Sequence, residues 1–73
     1  MKVTKIKAGK YQVTAHGFVF TLTKEGRIGR WVLWNKSGVE VMWSDTKTSI
    51  LNALNTYNGH DFESLDTQEW SGY

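Results

Sequence analysis

The sequence predicts a small α+β domain: an antiparallel meander of four to five strands, one C-terminal helix packed on one face, then an acidic aromatic tail. Three observations carry this. Apolar and polar side chains alternate with a period of two along residues 11–43, punctuated by glycine turns. From Ser44 the period changes to 3.6. The charge is sorted by position. Residues 1–57 hold all nine Lys and Arg against Glu25, Glu40 and Asp45, a balance of +6. Residues 58–73 hold Asp61, Glu63, Asp66 and Glu69 with no Lys or Arg, a balance of −4. The domain is therefore read as residues 1–57 and the tail as residues 58–73.

Each element has a local reason. Val3 to Lys7 is a short lysine-rich strand candidate ended by Ala8-Gly9. The stretch from Val3 to Ala15 is either a hairpin around Gly9 or one strand with a bulge there. Tyr11 to Ala15 alternates, and His16-Gly17 supplies a tight turn, since glycine takes positive φ freely and histidine tolerates it. Phe18 to Thr23 is β-branched or aromatic at nearly every position, the composition that fits a pleated surface. Glu25 to Gly29 reads as a hairpin loop, Arg30 to Asn35 as a strand, Lys36-Ser37-Gly38 as a turn and Val39 to Trp43 as the last strand. Ser44-Asp45-Thr46 offers side-chain oxygens for the free N–H groups of a helix start. Ile50, Leu51, Ala53, Leu54 and Tyr57 form one apolar stripe, and Asn58-Gly59 is a helix stop.

The pleat sorts these residues into faces. Tyr11, Val13, Phe18, Phe20, Leu22, Val39, Val41 and Trp43 are expected to meet the helix stripe; the Arg30–Asn35 strand is apolar on both faces, Trp31 with Leu33 or Val32 with Trp34, and Trp31 with Leu33 is placed inside. Val19, Thr21, Val32, Trp34 and Met42 then fall on the other face with Gln12, Thr14 and Glu40. One helix roofs only one face of a sheet, so that second face stands open.

Size and composition set limits. A chain of 73 residues buries only about 60% of the surface its unfolded form exposes. It has no Cys, so neither a disulfide nor thiolate chemistry is available. Aromatic mass is the substitute, at roughly 150–250 Å² per buried ring; self-association is the other remedy at this size. No stretch approaches the ~18 apolar residues of a membrane span, and the basic N-terminus lacks the apolar run of a signal peptide. The sequence reads as a soluble cytoplasmic protein with no membrane partner and no small-molecule substrate.

Chemistry finds little footing. His16 and His60 are the only histidines, far apart in sequence, so no metal site is predicted. Asp61, Glu63 and Asp66 lack a calcium-loop pattern. Gly26-x-x-Gly29 lacks the Lys-Ser/Thr and following helix of a phosphate-binding loop. His16 and Asp45 with a serine form no recognisable catalytic motif. No catalytic residue, metal or cofactor is expected.

Recognition remains. The leading expectation is a non-enzymatic protein-interaction module, an accessory or inhibitor-like protein of the kind phages and mobile elements encode. It would hold a protein partner, or a second copy of itself, through Val19, Val32, Trp34 and Met42 on the open face with Phe62, Leu65 and Trp70 of the tail. The alternative is a nucleic-acid binder using Lys5, Lys7, Lys10, Lys24, Arg27, Arg30 and Lys36, with the acidic tail competing for the same face. The strands followed by a helix, with Trp31 to Trp34 on the sheet, resemble in architecture the three-stranded-sheet-plus-helix DNA binders, such as plant AP2-type domains and the arm-binding domains of some integrases. That resemblance implies nucleic-acid binding through a sheet face and transfers no individual residue. The near-cancellation of charge, +2 overall, ranks the protein reading first.

Overall fold

The computed structural model describes residues 1–26 and 29–69. Five strands, β1 (Lys2–Lys7), β2 (Lys10–Ala15), β3 (Phe18–Glu25), β4 (Arg30–Trp34) and β5 (Glu40–Ser44), are followed by two helices, α1 (Lys47–Asn55) and α2 (Gly59–Asp66). The sheet order is β1-β2-β3-β4-β5, each neighbour antiparallel. Val3 to Ala15 is thus a hairpin. At the next turn His16 and Gly17 both have positive φ, 52° and 83°. Two consecutive positive φ values match the right-handed twist of flanking strands, so this turn closes β2 on β3 without splaying them.

The core lies between one sheet face and both helices. Val13, Ala15, Phe20, Leu22 and Leu33 from β2, β3 and β4 meet Ile50 and Leu54 of α1 and Phe62 of α2. The α1 stripe is as expected, and Thr46 caps it by accepting from Ser49 N–H at 3.1 Å. The second helix is a correction to the reading of residues 58–73 as a tail. Asn58 ends the first helical run and starts another. Its side chain accepts from Asp61 N–H at 2.9 Å, and the Asp61 carboxylate accepts from Asn58 N–H at 3.1 Å. Two orphan donors of a helix start are satisfied reciprocally. Phe62 then packs near the rings of Phe20, Tyr57 and His16, at centroid distances of 5.9, 5.9 and 5.3 Å. The expected protein-contact residue Phe62 is therefore core, and Leu65 packs against that core half-buried.

The last strand carries a second correction. Leu33 pairs with Met42 and Val32 with Trp43, while Trp34 pairs with Glu40, so a bulge leaves Val41 unpaired. One extra residue inverts the parity of everything after it. Met42 and Val41 face the helices, and Trp43, expected inside, stands 55% exposed on the other face.

Asn35 joins the two halves of the molecule. It is buried at the end of β4, where its carbonyl accepts from Ser37 and Val39 N–H at 2.9 and 3.1 Å. Its amide donates to the carbonyls of Leu65 and Gln68 at 3.0 and 2.8 Å. One side chain thus fixes the β4–β5 turn and the end of α2 together. Beside it, Lys36 Nζ meets the nearly buried Asp66 carboxylate at 2.9 Å.

Candidate functional site

The meander brings alternate connections to the same end of the sheet. The Ala8-Gly9 turn, the β3–β4 connection and the start of α1 share one end. The His16-Gly17 turn, the β4–β5 turn and α2 share the other, as the His16–Phe62 and Lys36–Asp66 contacts fix. The eight-residue β3 sets the two ends about 23 Å apart at the rise of a strand.

This topology sorts charge a second time, in space. The first end holds Lys5, Lys7, Lys10, Lys24, Arg30 and Lys47 with Glu25 and Asp45. The second holds Asp61, Glu63, Asp66 and Glu69 with Lys2 and Lys36, and Glu40, whose carboxylate reaches back to Arg30 of the first end. Among the described residues the salt bridges are Lys36–Asp66 and Arg30–Glu40, the latter at 3.5 Å, so the five lysines of the first end carry no carboxylate partner there.

Register places those lysines against aromatic rings. On the helix side of the sheet, Lys5 pairs across strands with Tyr11, and Lys24 pairs with Trp31. Lys24 N–H also donates to Gly9 carbonyl at 2.9 Å, which ties β3 to the β1–β2 turn. The Tyr11 and Trp31 rings lie 5.9 Å apart at 52° and are half-buried. Lys47 Nζ sits over the Tyr11 ring, 4.0 Å from its centroid, and 5.9 Å from that of Trp31. Lys47 is the first residue of α1, where the helix dipole disfavours a cation; the rings beneath it offset that cost. Lys7 and Lys10 oppose each other at the turn and project to the other side of the sheet.

No described helix packs on the open face of the sheet, since the buried apolar residues of both helices, Ile50, Leu54 and Phe62, belong to the single core cluster. Its central rows run Thr4–Gln12–Thr21–Trp34–Glu40 and Lys10–Thr23–Val32–Trp43. Trp34 Nε1 donates to Thr23 Oγ1 at 2.9 Å. Arg30 lies over the Trp43 ring at 5.3 Å. Val32 is fully buried, hemmed by its register neighbours Thr23 and Trp43 and by Arg30 and Trp34 on its own strand. Val19 remains exposed.

The expected sites therefore fare differently. Of the apolar set, Val19 and Trp34 reach the open face, whereas Val32 is sealed, Met42 faces the helices, Phe62 is core and Leu65 is half-buried against it. Of the basic set, Lys5, Lys7, Lys10, Lys24 and Arg30 share one end, while Lys36 lies at the other and is held by Asp66. Arg27 and Trp70 lie outside the described residues. Tyr11, Trp31, Lys47 and Trp43 were missed as site residues. The first two have the alternation of core positions, and only the exposed end of the sheet makes them half-accessible.

His16 and Asp45 stand at opposite ends of the sheet, so they form no catalytic pair. An open cleft of about 410 Å³, wider than the small size of the chain suggests, is lined by Gly17, Phe18, Val19, Lys36 and Asp66; its two charged groups already satisfy each other. Among the described residues no cluster of His or carboxylates is placed to hold a metal, and no helix is long and apolar enough to cross a membrane. Comparison with protein-family models, curated proteins and solved structures finds no match.

Proposed function

We propose that this chain is a nucleic-acid-binding protein that grips phosphates with the lysine-rich end of its sheet. The observation that carries the reading is the separation of charge by topology. The ranking of a protein partner over a polyanion rested on the acidic segment cancelling the basic body. That segment is instead largely folded as α2, which packs by Phe62 on Phe20 toward the far end of β3, a strand about 23 Å long. The Debye length at physiological salt is about 8 Å. A polyanion approaching the first end therefore meets five lysines without a salt-bridge partner among the described residues, Arg30 already paired with Glu40, and the carboxylates of Glu25 and Asp45. Unpartnered lysines on a turn and its flanking strands suit the counterion release that dominates nucleic-acid affinity.

The reading predicts a steep salt dependence. If four to five phosphates of a single strand are neutralised, log K falls against log salt with a slope of about −3. Oligonucleotide anisotropy titrations at stepped ionic strength measure it. Lys7→Glu with Lys10→Glu inverts the charge at the turn while leaving the core untouched. It should weaken binding at least tenfold at low salt and leave the melting temperature within a few degrees. A flat salt response, or full binding by that double variant, rejects the proposal.

A second reading is kept by Trp43. An exposed Trp under an Arg, on the same unroofed sheet face as Trp34 and Val19, has the composition of an interface hot spot. Its expected occupant is a second copy of the chain. Sedimentation equilibrium at rising concentration should then show a dimer in which Trp43→Ala weakens association by about 2 kcal/mol or more without loss of fold. A monomer at all concentrations removes this reading.

A further inference from the structure

We infer that the basic end takes an unpaired nucleic-acid strand, with Tyr11 and Trp31 as the stacking surface for a base and Lys5, Lys24 and Lys47 as contacts for the phosphates on either side. This rests on the nucleic-acid reading above and adds the class of ligand to it.

The argument starts from what the rings are doing there. Tyr11 and Trp31 sit on the helix side of the sheet, and Lys47 from the first turn of α1 lies over them. They pack against the core yet remain half-buried, where other aromatic and aliphatic positions of the same face, Phe20, Leu22 and Leu33, are sealed. Each ring has a lysine directly across the ladder, Lys5 beside Tyr11 and Lys24 beside Trp31, both exposed. Aromatic faces interleaved with cations are the physical recipe for single strands, because every base offers a π-face and every linkage a charge. In a duplex those base faces are already stacked on one another, so protein rings cannot reach them without base extrusion. Phosphate contacts alone would need only the lysines.

The geometry further limits the mode. The two rings meet at 52°, so they form a stepped surface and not a parallel slot. A base stacks on the step from outside. Lys47 must swing from its place over Tyr11 as the base arrives, and its flexible stem lets the ammonium follow the incoming phosphate. A cation already held over the ring keeps the surface charged and hydrated until a ligand displaces it.

The test compares the full chain on oligothymidine and on a blunt duplex with the same number of phosphates, at two ionic strengths. The single strand should bind at least tenfold tighter at both. Tyr11→Leu keeps an apolar side chain against Leu22 but removes the ring. It should weaken the single strand by about 5- to 150-fold and leave duplex affinity unchanged. Photocrosslinking of the unmodified chain to 4-thiothymidine oligonucleotide supplies a readout independent of that variant's fold, with adducts expected on Tyr11 or Trp31. Duplex binding equal to or tighter than single-strand binding, or adducts confined elsewhere, overturns the inference while leaving a salt-dependent nucleic-acid binder. No binding to either ligand overturns the underlying reading as well.

Discussion

Removing residues 58–73 is expected to unfold the chain. Read as a tail, that segment would come off cleanly; as α2, it supplies Phe62 to the core and a lid over Phe20, Tyr57 and His16. Phe62→Ala isolates the effect. Emptying a buried phenylalanine costs about 3–5 kcal/mol. At roughly 0.05–0.15 kcal/mol per residue, the whole domain has about 4–11 kcal/mol to lose. Phe62→Ala should therefore lower the melting temperature by more than 10 °C, and the truncation should abolish a cooperative transition. Circular dichroism melts read both. A truncated chain that melts like the intact one would make α2 an appendage and return the acidic segment to the role of a tail. The truncation is thus no assay for competition between tail and basic body.

Asn35→Ala is the second large effect, and it comes from a single polar side chain. The substitution deletes four hydrogen bonds. It also strips the amide partner from the carbonyls of Leu65 and Gln68 and the acceptor from the N–H groups of Ser37 and Val39. Net hydrogen bonds contribute about 1 kcal/mol each, and groups left unpaired in a buried place cost more. A loss of about 2–4 kcal/mol follows, or roughly 10–20 °C for a domain of this size. Asn35→Asp separates the two halves of the role. A carboxylate can still accept from Ser37 and Val39 but faces two carbonyls where it should donate, so it should fail nearly as badly. If Asp is tolerated, the link from β4 to the end of α2 is not what holds the helix.

The strands β2 and β3 were legible because Val13, Ala15, Phe20 and Leu22 keep one parity and His16-Gly17 names its own turn, while β4, apolar on both faces, showed its existence more clearly than its orientation. The last strand was not, and the reason is local. Val39, Val41 and Trp43 alternate as a buried set, but the bulge at Val41 is marked by no glycine or proline and inverts the faces of Met42 and Trp43. The second helix was hidden by a residue with two meanings: Asn58 stops one helix and, with Asp61, caps the next. Its acids drew attention as charge, when one of them is a cap and Asp66 is a buried partner of Lys36. The site was legible only in its parts. The lysines stood out as a count, but their gathering at one end is a property of the meander, which no single stretch encodes. Lys47 and Tyr11 are distant in sequence, and nothing but the packing of α1 on β4 and β5 brings them together.

The end that carries α2 also carries the four Asn35 hydrogen bonds and the Lys36–Asp66 pair, whereas the five lysines of the opposite end make no salt bridge among the described residues.

The most direct test follows backbone and indole N–H resonances of the isotopically labelled full chain during titration with a short oligonucleotide. The account predicts shifts along Lys7 to Lys10, at Lys24, at the Trp31 indole and at Lys47, with α2 and residues 35–39 unmoved. An unchanged spectrum at excess ligand, or shifts gathered instead around Trp43 and Val19, would contradict it.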